Sequence, residues 1–66
     1  MELQELKAKA EAGDKQAQCR LGSYYCENAG TPEDFAEGVK WYRKAAAQGH
    51  SASENLLNLY ARKGMI

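Results

Sequence analysis

Sixty-six residues with nine basic and nine acidic side chains allow one small domain. A chain this short buries only about 60% of its unfolded surface, which leaves no depth for a catalytic cleft between subdomains. A formal net charge of zero offers no basic field to hold nucleic acid by its phosphates, no apolar run approaches the ~20 residues of a membrane span, and MELQELKAKAEAG lacks the charged-then-apolar plan of a signal peptide. The expectation is a cytoplasmic chain that meets neither nucleic acid nor membrane.

The first predicted helix runs from the N-terminus to Ala12 and stops at Gly13. Asp14 caps the second, QAQCRLGSYYCEN, which gives way at Asn28-Ala29-Gly30. Cys19 and Cys26 lie seven apart on it, so their Cα atoms stand about 10.5 Å from each other. A disulfide fails beyond about 7 Å; these thiols do not bridge within an intact helix, and a reducing compartment is expected. Thr31-Pro32-Glu33-Asp34 opens the third helix with a cap, a proline at the first helical position and an acid three residues on. After Gly49, Ser51-Ala52-Ser53-Glu54 repeats the capping-box logic for the fourth. Asn28 and the glycines suit the left-handed residue that ends a helix. No segment alternates β-branched residues, so the chain is expected to be all-α, with about four helices.

On a wheel of about 100° per residue, the second helix gathers Ala17, Leu21, Tyr24 and Tyr25 on one side, with Gly22 at its border. Gln16, Cys19, Ser23 and Cys26 fall opposite. The third collects Phe35, Gly38, Val39, Trp41, Tyr42, Ala45 and Ala46 on an arc wide enough to touch more than one neighbour. The chain also repeats itself. A shift of 36 brings Ala10 and Gly13 onto Ala46 and Gly49. A shift of 35 brings Ala17, Leu21, Tyr24 and Tyr25 onto Ala52, Leu56, Leu59 and Tyr60, as if one residue were missing after Gly49. A period near 36 in a helical chain points to an α-solenoid of antiparallel helix pairs, each covering the next one's apolar face.

Ala10-Glu11-Ala12-Gly13-Asp14, Ala17, Leu21-Gly22, Tyr25, Gly30, Asp34, Val39, Trp41 to Ala46 and Gly49-His50 together resemble the Sel-one-like repeat family, relatives of the tetratricopeptide repeat. The resemblance spans residues 10 to 60. It implies a single repeat domain over residues 1–66, with a capping helix at 1–12, a complete repeat at 14–49 and a half repeat at 50–63. Asn28 and Gly38 stand where the family usually has glycine and alanine, and at a shift of 35 Leu57 takes the place of Gly22. Gly38 in mid-helix is expected to weaken the third helix by up to about 1 kcal/mol relative to alanine.

The resemblance also implies that the first helix of each pair lines a concave wall where partner peptides dock. On the second helix that wall is Gln16, Cys19, Ser23, Cys26 and Glu27; on the last, at a shift of 35, it includes Glu54, Asn58 and Arg62. The expected function is therefore a non-enzymatic adaptor that binds a protein or peptide on this face. The alternative is a small inhibitory, immunity-type or regulatory protein that grips its target through an open apolar C-terminal edge at Leu57, Leu59 and Ile66. Such an edge would also admit a homodimer through the last helix. No cofactor, metal site or catalytic residue is expected. Two cysteines fall short of the four ligands of a closed zinc site, and His50, the one histidine, sits at a turn where it helps start the last helix. Neither cysteine has a histidine on its helix to serve as a base.

Overall fold

The computed structural model describes residues 2–66. The described residues form four helices and no strand: α1 (Leu3–Glu11), α2 (Lys15–Glu27), α3 (Pro32–Ala47) and α4 (Ser51–Arg62). Each packs on the next in chain order, α1 on α2, α2 on α3 and α3 on α4, giving a flat stack of 31 × 28 × 15 Å. This is the all-helical, pairwise-stacked architecture that the 36-residue period called for.

Two of the three expected caps form as read. The Asp14 carboxylate accepts from the backbone N–H groups of Gln16 at 2.9 Å and Ala17 at 3.2 Å, and Thr31 Oγ1 accepts from Asp34 N–H at 3.2 Å with Pro32 in the first turn. The third cap belongs to His50, not Ser51: His50 Nδ1 accepts from Ser53 N–H at 3.3 Å and also lies 3.0 Å from Ser53 Oγ. A helix capped one residue earlier puts Ser51 inside its first turn. Of the expected left-handed terminators, Gly13, Gly49 and Gly64 have positive φ, whereas Asn28 stays at −107°. Its side-chain amide instead donates to the Tyr24 carbonyl at 2.9 Å, which satisfies an end carbonyl without a left-handed turn.

The core lies at the junction of α1, α2 and α3. Ala10, Ala17, Leu21 and Trp41 form one buried cluster, with Leu6 and Tyr25 packed against it. Tyr42 and Ala45 are buried as well. Tyr24, expected beside them, is 44% exposed and lies edge-on to Tyr25 at 5.6 Å. It sits at the rim of the buried arc. Leu6 and Ala10 cover the α1 end of the stack, whereas Leu3 is 37% exposed.

Gly22 and Gly38 meet where α2 and α3 cross. A Cβ on Gly38 would stand 2.7 Å from the Gly22 carbonyl oxygen and 2.5 Å from Cys26 Sγ, and one on Gly22 would stand 2.9 Å from the Gly38 carbonyl oxygen. Contacts that close admit no side chain. Gly38, read from the sequence as a weak point in a helix, is what lets the two backbones touch.

Candidate functional site

The proposed wall of α2 does not present a uniform free surface. Gln16 and Glu27 are exposed, Cys19 is half-buried, and Ser23 and Cys26 turn into the seam that α2 makes with α3 and α4. Ser23 Oγ and the Tyr42 hydroxyl share a hydrogen bond of 2.7 Å. Cys26 Sγ faces the Phe35 carbonyl oxygen at 3.9 Å, and Tyr60 of α4 packs on the rings of Phe35 and Tyr42 with centres 5.4 and 6.0 Å away. On a wheel these two residues lie opposite the Ala17–Leu21 stripe, yet that side meets the second half of the stack. The wheel of one helix does not show how many neighbours it has.

Burial governs the acid–base character of this seam. It is the largest influence on Cys26 and raises the thiol pKa; the Tyr60 hydroxyl opposes the shift and the Glu27 carboxylate adds to it. Tyr42 is pushed far above the usual phenol range by burial, with the Ser23 hydrogen bond acting against it, and Tyr60 is raised chiefly by burial too. A thiol held protonated is a poor nucleophile and a poor metal ligand. Cys19 and Cys26 are both free thiols.

The last helix matches α2 at a shift of 36 and not 35. Lys15 opens α2 and Ser51 opens α4, with the caps Asp14 and His50 in front of them. Buried Ala17 therefore corresponds to Ser53, and Leu21 to half-buried Leu57, while Ala52 is exposed. Asn58, not Leu57, takes the place of Gly22. The counterparts of Gln16, Cys19, Ser23, Cys26 and Glu27 become Ala52, Asn55, Leu59, Arg62 and Lys63. Of the three α4 residues assigned to the wall, Arg62 alone stays in that row. Glu54 and Asn58 move to the places of Gln18 and Gly22, the side that α2 turns toward α3 and that α4 leaves exposed.

Two buried polar residues escape a reading based on hydropathy. Gln18, 5% exposed, donates through Nε2 to the Ala10 carbonyl at 3.0 Å and accepts through Oε1 from Gln48 Nε2 at 2.9 Å. It ties the end of α1 to the end of α3. Ser53 is fully buried under the same logic, with His50 as partner. The wheel position of Gln18, between Tyr25 and Gly22, was the available signal.

The concavity with the most apolar lining lies at the C-terminal edge. Pro32, Phe35, Ala36 and Val39 of α3 form one wall of a groove of about 480 Å³, Met65 and Ile66 the other, and Lys40 and Arg43 also line it. Gly64 turns the tail back, and Met65 N–H donates to the Tyr60 carbonyl at 2.9 Å. The alternative edge named Leu57, Leu59 and Ile66; only Ile66 lines this groove. Leu57 is half-buried and Leu59, 37% exposed, faces the side that Ser23 takes on α2. A smaller cleft of about 120 Å³ between α1 and α2 is lined by Leu6, Lys9, Asp14, Gln16, Ala17 and Arg20. Among the described residues no three His, Cys, Asp or Glu side chains gather as metal ligands, and no helix is long and apolar enough to cross a membrane.

Comparison with known proteins agrees with this architecture. The secretory immunoglobulin A-binding protein EsiB of Escherichia coli O6:H1 is 40% identical over 43 residues, which make up 65% of this chain and 9% of that protein. The chain thus spans less than a tenth of the length of the curated relative it matches. No solved structure gives a significant match. The Sel1 repeat, a helical repeat that mediates protein–protein contacts, matches residues 15–50. That stretch covers more than half of the 66 residues, from the first residue of α2 through α3 to the cap of α4, and the chain belongs to the Sel1 repeat family.

Proposed function

We propose that the chain is a small protein-interaction module that acts by contact and not by chemistry, and that its partner docks at the C-terminal edge of the stack. The observation that carries this reading is the groove between the outer side of α3 and the Met65–Ile66 tail, where Ala36, Met65 and Ile66 are exposed, Phe35 is half-buried and Val39 is buried at the base. The relative from Escherichia coli bears the name of an immunoglobulin-binding protein, which supports a folded protein as the class of partner. Residence in a reducing compartment belongs to the same proposal, supported by two free thiols held apart on α2.

A second reading keeps the partner on the concave wall. It draws support from Leu59, an exposed leucine in the row of Ser23, beside half-buried Cys19 and exposed Gln16, Glu27 and Arg62. Capture from host lysate with three baits separates the two: wild type, Ala36→Asp and Cys19→Glu, each first shown to be helical by circular dichroism. Both substitutions fall outside the buried core. Loss of a partner with Ala36→Asp alone supports the edge. Loss with Cys19→Glu alone moves the site to the wall.

A further inference from the structure

The edge groove has a length, a chemistry and a place in the stack, and together they narrow what fits it. Its α3 wall runs from Pro32 to Arg43, twelve residues and so about 16 Å from first to last along the helix axis. That is three helical turns. Phe35, Ala36 and Val39 recur at helical spacing along it, the pattern that receives the apolar stripe of another helix. Among the described residues there is no strand whose edge could bind an extended peptide through its backbone.

The place agrees with the shape. Trp41 packs toward Ala10, Ala17 and Leu21, whereas Ala36, Val39 and Arg43 fall about half a turn away on the same helix. α3 thus meets α1 on one side and offers the groove on the other, where a further helix would extend the same layer. Met65 and Ile66 are about half exposed and form a wall, not a lid.

Charge selects among helices. Eight residues line the groove; two are basic and none is acidic. Arg43 is exposed and has no ion pair among the described residues, and the exposed Lys40 lies 3.7 Å from the half-buried Glu37 carboxylate and 5.7 Å from the centre of the Trp41 ring. A second copy of the chain, docked by a two-fold axis through this edge, would bring Lys40 and Arg43 up against their own counterparts.

We infer that the groove binds an amphipathic helix of about three turns that carries carboxylates beside its apolar stripe. This rests on the edge reading, and deepens it by naming the chemistry of the partner. Leu, Ile or Met anchors fill the space over Phe35, Ala36 and Val39, while flanking Glu or Asp side chains meet Lys40 and Arg43.

The test uses the full chain and three hydrocarbon-stapled helical peptides of one apolar stripe, flanked by Glu, by Gln or by Lys. Binding is read by fluorescence anisotropy at two salt concentrations and located by amide chemical-shift mapping. The acidic peptide is expected to bind at least tenfold more tightly than the basic one, with an advantage that shrinks as salt rises. Shifts should centre on Phe35, Ala36, Val39 and Met65. The double substitution Lys40→Glu with Arg43→Glu, at two exposed positions, should reverse the order of the peptides. Equal binding of all three peptides in the groove overturns the acidic partner and leaves the edge reading standing. Shifts on Gln16, Cys19 and Leu59, or none with any peptide, overturn both. Concentration-dependent dimers in sedimentation velocity, abolished by Ala36→Asp, make a second copy the occupant and overturn the acidic helix.

Discussion

Gln18 shows how one polar side chain can hold a small stack together. It reaches the Ala10 carbonyl with its amide nitrogen and receives Gln48 on its oxygen, so both ends of the amide are satisfied in a site shut off from water. Gln18→Leu removes both bonds, while the Ala10 carbonyl keeps the Gly13 N–H and Gln48 is exposed to solvent, so stability should fall by about 0.5–1.5 kcal/mol in urea melts. Gly38 makes the opposite case, a residue whose value lies in what it lacks. Gly38→Ala should destabilise by roughly 1–3 kcal/mol despite the better helix former, because the new methyl meets the Gly22 carbonyl oxygen and Cys26 Sγ. A rise in melting temperature would show that α2 and α3 separate without loss.

The tyrosines of the α2–α3–α4 seam set the response to alkali. Burial raises Tyr42 and Tyr60 above the ordinary phenol value of 10.0, and Cys26 above the ordinary thiol value of 9.0. In each case the folded chain keeps a proton that the unfolded chain gives up first. Their stabilising contribution is therefore complete below the unfolded values and is lost as pH climbs through the folded ones. Urea midpoints should hold steady up to about pH 8 and fall continuously from about pH 9 upward. Tyr42→Phe should flatten that fall, and a midpoint indifferent to alkali would mean that the seam is open to water.

At the scale of the helices, caps decide where each element begins. Asp14 holds two backbone N–H groups and His50 holds one. Asp14→Ala should cost about 1 kcal/mol. Ser51→Ala, at the residue a capping-box reading selects, should change stability by less than about 0.5 kcal/mol, because Ser51 is exposed in the first turn of α4. The start of α4 matters beyond its own stability. One residue of difference turns the helix by about 100°, which carries Glu54 and Asn58 off the wall and Leu59 onto it.

The whole molecule rests on one cluster. Trp41 joins Ala10, Ala17 and Leu21 in the core, and the Lys44 ammonium lies 4.6 Å from the centre of its ring. Trp41→Ala removes the side chain that links α3 to both α1 and α2. At a typical cost of about 3–5 kcal/mol for this change in a small domain, it should abolish the cooperative thermal transition. A cooperative melt near that of the wild type would refute the placement of the core. The Trp41 indole N–H is buried without a partner among the described residues, so Trp41→Phe should be far better tolerated.

By itself the sequence determined the helices, their breaks and their kind of stack, because these arise from local chemistry. Asp14 caps α2, Thr31 and Pro32 open α3, Gly13 and Gly49 end α1 and α3, and the apolar arc around Trp41 is too broad for one neighbour. The repeat of Ala10 and Gly13 at Ala46 and Gly49 fixed the period. Only the tertiary structure decided the rest. Ser23 and Cys26 face the seam because α3 and α4 close over that side of α2; Gly38 serves a helix crossing that no single-helix wheel displays; Gln18 and Ser53 are buried because their partners lie on other elements or in a cap. The edge groove depends on a tail that Gly64 folds back against α3. Each of these turns on which surfaces meet across the fold, and a pattern along the chain records the faces of an element but not its neighbours.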